Sequence, residues 1–130
     1  AIGVSLEYMV YDYPEYPQLH PPYDPAVSIL DLLFMTGPAA RDHLCAALNA
    51  LPGVHAPPPP GAMYAFFKVD GMTDSLAFCK RLVAEQGLGV APGAAFGDEG
   101  EGFVRWCFAS DLKRLDDGIA RFTQGLQSLR

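Results

Sequence analysis

Basic residues are scarce in this sequence, and only three of them are lysines. Nine Lys and Arg stand against fifteen Asp and Glu in 130 residues, a net charge of −6. Lys68, Lys80 and Lys113 are the only side-chain amines. Without a basic cluster there is no electrostatic footprint for nucleic acid. No apolar run is long enough to span a bilayer, and no positively charged n-region marks a signal peptide. The three cysteines, Cys45, Cys79 and Cys107, lie far apart with no CxxC pair. An odd count in apolar surroundings reads as buried free thiols in a reducing compartment, hence a cytoplasmic protein. His20, His43 and His55 share no metal-ligand spacing, so surface or capping roles suit them better than ligation. The sequence also lacks a Cys/His nucleophile signature, a Walker lysine and a strand–GxGxxG–helix context. Asp98, Glu99 and Glu101 are close enough to be paired acids, but a solvated turn explains them better. No complete active site is written in these residues, and no metal is expected.

What the sequence has in quantity is apolar surface, which makes up half of its residues, with thirteen glycines and twelve prolines. The length suits one domain with a modest core. The organising stretch runs from Pro92 to Phe108. It reads as the end of a strand, a Gly-rich hairpin loop and a second strand. In that second strand Val104, Trp106 and Phe108 point one way, and Phe103, Arg105 and Cys107 the other. The first face is purely apolar and calls for helices against it. The second holds a cation beside a Pro-Gly loop. Arg105 has two readings that spacing alone leaves open. Its stem can cover apolar surface while its head reaches solvent or a local carboxylate. Alternatively, its planar fork is aimed at the carboxylate of a ligand.

Ahead of this stretch, alternating apolar residues over 2–10 predict a strand. The Tyr- and Pro-rich residues 11–23 exclude a helix or a ladder and predict an extended loop. Asp24-Pro25 opens a helix carrying Val27, Leu30, Leu33 and Phe34, which Gly37 ends. Pro38 opens the next, with Leu44, Leu48 and Leu51 on one side and Arg41 and Asp42 on the other, stopped by Pro52-Gly53. Val54–Ala56 is extended, the run Pro57–Pro60 is polyproline II, and residues 61–67 are apolar on both faces like a central buried strand. Thr73 or Asp74 caps a helix with Leu76, Cys79, Leu82 and Val83 inward and Gly87 just past its end. Residues 88–91 form a short strand. Ser110 caps a last helix with the stripe Leu112, Leu115, Ile119, Phe122 and Leu126. The expected fold is α/β, of the α+β two-layer kind, a small mostly antiparallel or mixed sheet with helices packed on one face. That leaves the Arg105 face as an adhesive patch needing a cover.

Four motifs occur in an order and spacing that resemble a known family. They are the stretch Pro60-Gly61-Ala62-Met63-Tyr64-Ala65-Phe66-Phe67, the helix over 75–86, the stretch Gly89-Val90-Ala91-Pro92-Gly93-Ala94-Ala95-Phe96-Gly97 and the strand Gly102-Phe103-Val104-Arg105-Trp106-Cys107-Phe108-Ala109. From Pro38 onward the chain resembles the C-terminal small domain of class I/II (fold type I) pyridoxal-phosphate-dependent aminotransferases. The Arg41-Asp42 helix and Leu51-Pro52-Gly53-Val54 are similar to that family as well. The resemblance divides the chain into 1–37, an irregular Tyr/Pro-rich segment, and 38–130, an aminotransferase-like small domain. It implies that Arg105 grips the substrate α-carboxylate, with an amino acid or 2-oxo acid as substrate and pyridoxal phosphate as the cofactor of the parent enzyme. None of the three lysines matches the family's Schiff-base motif, and its large domain has no counterpart. The chain alone is therefore expected to hold no cofactor and not to transaminate, and to contact a large domain or a second copy of itself. Two other readings stand beside this one: a non-enzymatic oligomerisation or partner-binding module of the same fold, and part of another pyridoxal-phosphate enzyme, a lyase or decarboxylase.

Overall fold

A computed structural model describes residues 29–127, together with Glu15, Gln18 and Pro22. The strand expected over 2–10, most of the Tyr/Pro-rich stretch and the cap at Asp24-Pro25 lie outside the described residues. Helix α1 spans Ile29–Asn49. Strand β1 is Val54–His55 and β2 is Tyr64–Val69. Helix α2 is Ser75–Gln86 and strand β3 is Ala91–Pro92. Two short 3₁₀ turns, Gly93–Phe96 and Asp98–Gly100, lead into β4, Phe103–Cys107. Helix α3, Leu112–Gln127, closes the fold.

The four strands form one sheet in the order β1-β2-β4-β3, with every pairing antiparallel. The expected α/β fold is the observed one, and β2 and β4 are its central pair. Alternation along these two strands sets the layers. Ala65, Phe67 and Val69 of β2 and Val104 and Trp106 of β4 are buried against the helices. Phe122 of α3 is fully buried at the centre. It meets Phe67 and Phe78 edge-on at 5.5 and 5.9 Å and Trp106 at 5.6 Å between ring centroids. Such offset and edge contacts suit the ring quadrupoles. Helix α1 contributes Ala40, Leu44 and Leu48 to the same core. Its end is tied down where Asn49 exchanges two 2.8 Å bonds with the backbone of Ala56.

Several expectations need correction. Helix α1 does not stop at Gly37; it continues through Pro38 to Asn49. Proline removes one hydrogen bond and crowds the preceding turn, but burial of the Ala40/Leu44/Leu48 stripe holds the helix on the sheet regardless. Strand β2 starts at Tyr64, and it buries one face rather than both, with Phe66 exposed. The short third strand is Ala91–Pro92 rather than residues 88–91, and the hairpin loop is a pair of 3₁₀ turns. On α2 the buried set is Ser75, Phe78, Cys79 and Leu82, while Leu76 and Val83 face out. Both sets have helical spacing; contact with α3 selects the one that reaches Phe122 and Gly125. Leu112 is exposed, because it lies in the first turn of α3 beyond the sheet. The residue capping α3 is Asp111, whose carboxylate accepts from the Arg114 N–H at 3.0 Å, not Ser110. Cys45 and Cys79 are buried thiols as expected, but Cys107 is exposed, since it ends β4 on the face turned away from the described helices. At α2 the cap is Asp74, accepting from Ala77 N–H at 2.8 Å, and Gly87 takes the left-handed conformation just past the helix end.

Candidate functional site: the Arg105 face

Arg105 sits mid-strand in β4, opposite Phe66 of β2 and Ala91 of β3. Its neighbours Val104 and Trp106 are core, so the pleat puts its side chain on the face that none of the described helices covers. That face is built of rings. Phe66 stacks on Phe103 with centroids 5.1 Å apart and planes within 6°. Phe96 meets the edge of Phe66 at 6.1 Å. The Arg105 guanidinium carbon lies 4.0 Å from the centroid of Phe96 and 4.4 Å from that of Tyr64. Both contacts are cation–π contacts, which favour the charged side chain over an aromatic face. Neither ring is a hydrogen-bond acceptor of the carboxylate kind that an arginine fork is suited to. Among the described residues, no carboxylate lies within ion-pair distance of Arg105.

The loop carrying Phe96 is fixed at both ends. A Cβ on Gly93 would run into the Gly100 carbonyl oxygen, and one on Gly100 into the carbonyl oxygen of Gly93, so the two backbones can meet only as glycines. The Ser75 hydroxyl, fully buried at the start of α2, accepts from Ala94 N–H at 3.3 Å. Glu101 accepts from Ser75 N–H at 2.7 Å and from Gly102 N–H at 2.8 Å through one carboxylate oxygen. The bonds from Gly102 and Ser75 hold the Glu101 carboxyl below its usual range. The open N–H end of α2 acts in the same direction. Sequence reasoning treated Glu101 as part of a solvated turn and missed this link. The signal available was a carboxylate directly before the glycine that opens β4.

The remaining candidates are dispersed. His43 pairs with Asp116 at 2.6 Å, joining α1 to α3, and His55 pairs with Asp70 at 2.9 Å beside β1. Both are surface contacts, in line with the roles expected for them. Cys79 is pushed up to about 11 by burial, which makes it a poor nucleophile. Among the described residues no group of His, Cys, Asp and Glu could hold a metal ion, and no helix is long and apolar enough to cross a membrane.

Pyridoxal phosphate, the cofactor the resemblance implies, does not fit the described residues. Lys68, Lys80 and Lys113 are all exposed, so none offers the enclosed amine a Schiff base requires. Amides of the glycine-rich loop are drawn into internal bonds: Ala94 on Ser75, Gly97 on Ala94, Gly100 on Gly97, Glu101 on Asp98 and Gly102 on Glu101. They form no phosphate cradle.

Comparison with known proteins supports the resemblance. An aspartate aminotransferase of Thermotoga maritima is 42% identical over 76 residues, covering 58% of this chain and 19% of that protein. A valine–pyruvate aminotransferase of Mycobacterium tuberculosis is 38% identical over 73 residues, 55% of this chain and 19% of its own length. Among solved structures, an alanine aminotransferase from Pyrococcus furiosus superposes with a TM-score of 0.66 at 25% identity, covering 70% of this chain and 24% of that one. The aspartate aminotransferase of T. maritima superposes with a TM-score of 0.61 at 36% identity, over 68% and 22%. The chain spans about a fifth of the length of the curated relatives it matches. Residues 1–43 match a different family, described as the WbqC-like protein family. The fold and the sequence of the larger part of the chain are thus related to fold type I aminotransferases.

Proposed function

We propose that this chain supplies the carboxylate-binding half of an amino-acid aminotransferase site, with Arg105 as the residue that takes the substrate α-carboxylate. The observation that carries the reading is the placement of Arg105: a cation on the ring-lined face of the sheet that no described helix covers, with no described carboxylate as partner. A structural arginine would more often be neutralised locally; here the fork is left for an acceptor from outside. The substrate class is an amino acid or its 2-oxo acid. The cofactor is pyridoxal phosphate, held by the rest of a parent enzyme and not by this chain alone, which is not competent to transaminate. The partner for the uncovered face is the large domain of that enzyme or a second copy of this chain. Residues 38–130 make up the aminotransferase-like unit and residues 1–37 a segment of separate origin. The match of 1–43 to the WbqC-like family supports that division, and helix α1 crosses it.

The test is titration of the chain with pyruvate, following the Arg105 Nε–H resonance by nitrogen-15 NMR. Binding is expected to be weak and centred on Arg105. Arg105→Ala should abolish it, since a hydrogen bond to a charged group contributes about 1.5–3 kcal/mol, roughly tenfold or more in affinity. Arg105→Lys retains the charge without the fork and should fall between the two. The melting temperature should move little in either variant, because the side chain faces away from the core. Should Arg105→Ala collapse the fold, or bind pyruvate as the parent does, the residue is structural and the reading fails.

A further inference from the structure

Phe96 is a large apolar side chain left 48% exposed at the tip of a loop. Burial therefore does not account for its position. Three features hold it there: the glycine-to-glycine contact of Gly93 and Gly100, the Ser75 hydroxyl on Ala94, and Glu101 bridging Ser75 and Gly102. These anchors join the N-terminus of α2, the loop and the start of β4, and the ring they carry lies over the guanidinium of Arg105. Tyr64 covers the same cation from β2. A free arginine side chain has many rotamers, and each must be lost before its fork can meet a carboxylate in plane. Ring faces placed under the guanidinium carbon remove part of that freedom in advance.

We propose that Phe96 is a positioning residue, set by the Glu101 anchor, that holds the Arg105 fork in the plane in which it accepts a carboxylate. The inference rests on the reading of Arg105 as a carboxylate binder and adds to it the device that pre-orients the fork. Phe96 does not touch the carboxylate; it acts through Arg105. Glu101 acts one step further back, by keeping the loop closed over β4.

The experiment uses the whole chain and acetate, which carries a carboxylate and nothing else, with chloride at equal ionic strength as control. Two quantities are read from the Arg105 Nε–H resonance: its position without acetate, which the ring currents of Phe96 and Tyr64 displace, and the acetate Kd. Phe96→Leu keeps apolar bulk and loses the ring. It should move the resonance toward the position of a free arginine and raise Kd about two- to fivefold, the worth of one exposed cation–π contact. Phe96→Tyr keeps a ring face and should restore both. Glu101→Ala leaves the ring in place but opens its anchor, and should shift both quantities in the same direction. The proposal is overturned if Phe96→Leu and Glu101→Ala leave the resonance and Kd unchanged while Arg105→Ala removes the acetate response; the carboxylate reading then survives alone. If the unaltered chain shows no acetate response at Arg105 at all, that reading and the positioning role fall together.

Discussion

At the scale of single residues, Glu101 is the carboxylate that the fold perturbs through backbone bonds. Two N–H groups, from Gly102 and Ser75, favour its charged form, so its folded pKa lies below the usual 4.5. The sign follows from linkage. A carboxyl whose pKa is depressed on folding adds stability above its unfolded pKa, and loses that stability as pH falls through the folded value. Asp70, lowered from 3.8 by its bond with His55, titrates in the same acid window and has the same sign. The chain should therefore melt at a lower temperature as pH drops below about 4.5, through loss of both contacts. Glu101→Gln removes one of the two contributions. Its melting temperature should depend less steeply on pH between neutral and strongly acidic buffer than that of the parent. Parallel pH profiles for variant and parent would show that the Glu101 bonds contribute nothing to folding.

At the scale of elements, the alternation of β4 was legible because a period of two admits only two face assignments, and only one face was wholly apolar. Val104, Trp106 and Phe108 are buried, and Phe103 and Arg105 half-exposed, as the pattern required. The inward face of α2 was not legible, since Leu76 and Val83 are as apolar as the residues that are buried, and only the approach of α3 decides between them. That approach depends on small residues in α3 that a search for apolar stripes overlooks. Gly118 and Gly125 are both buried. A Cβ on Gly118 would come within 2.7 Å of the Trp106 ring, and one on Gly125 would meet the end of Leu82. In an open helix, Gly→Ala stabilises by about 1 kcal/mol. At Gly118 the added methyl meets a rigid indole that is itself packed on Phe122, and overpacking of this kind costs about 1–3 kcal/mol. Gly118→Ala should therefore lower the melting temperature, with the near-ultraviolet circular dichroism of Trp106 altered. A higher melting temperature with unchanged tryptophan dichroism would mean that α3 does not pack this closely on the sheet. The Arg105 site was legible only in part for a similar reason. Strand periodicity gave its face, but Phe96 reaches it from a loop whose path is set by the Gly93–Gly100 contact, and Tyr64 reaches it diagonally from the neighbouring strand.

At the scale of the whole molecule, the larger part of the chain is similar in fold and sequence to aminotransferases, and it matches about a fifth of the length of such enzymes. The chemistry its own residues can perform is correspondingly narrow. The site holds one cation and several rings, while the lysines lie on the surface and most of the glycine amides of the loop are used internally. Pyridoxal phosphate added to the chain should react only as a free aldehyde does with exposed amines. Lys68 lies at the end of β2, Lys80 on α2 and Lys113 on the first turn of α3. All three are exposed, and none is enclosed as the amine of a Schiff-base site must be. Imine absorbance should thus rise gradually with cofactor concentration, without saturating at a single equivalent. It should be lost on dilution and be unaffected by Arg105→Ala. Adding an amino acid should remove cofactor by forming free imine in solution, with no enzyme-bound spectrum. A stoichiometric complex that responds to an amino acid and loses that response in Arg105→Ala would place a complete cofactor site in this chain, and would overturn the reading of it as the carboxylate-binding half alone.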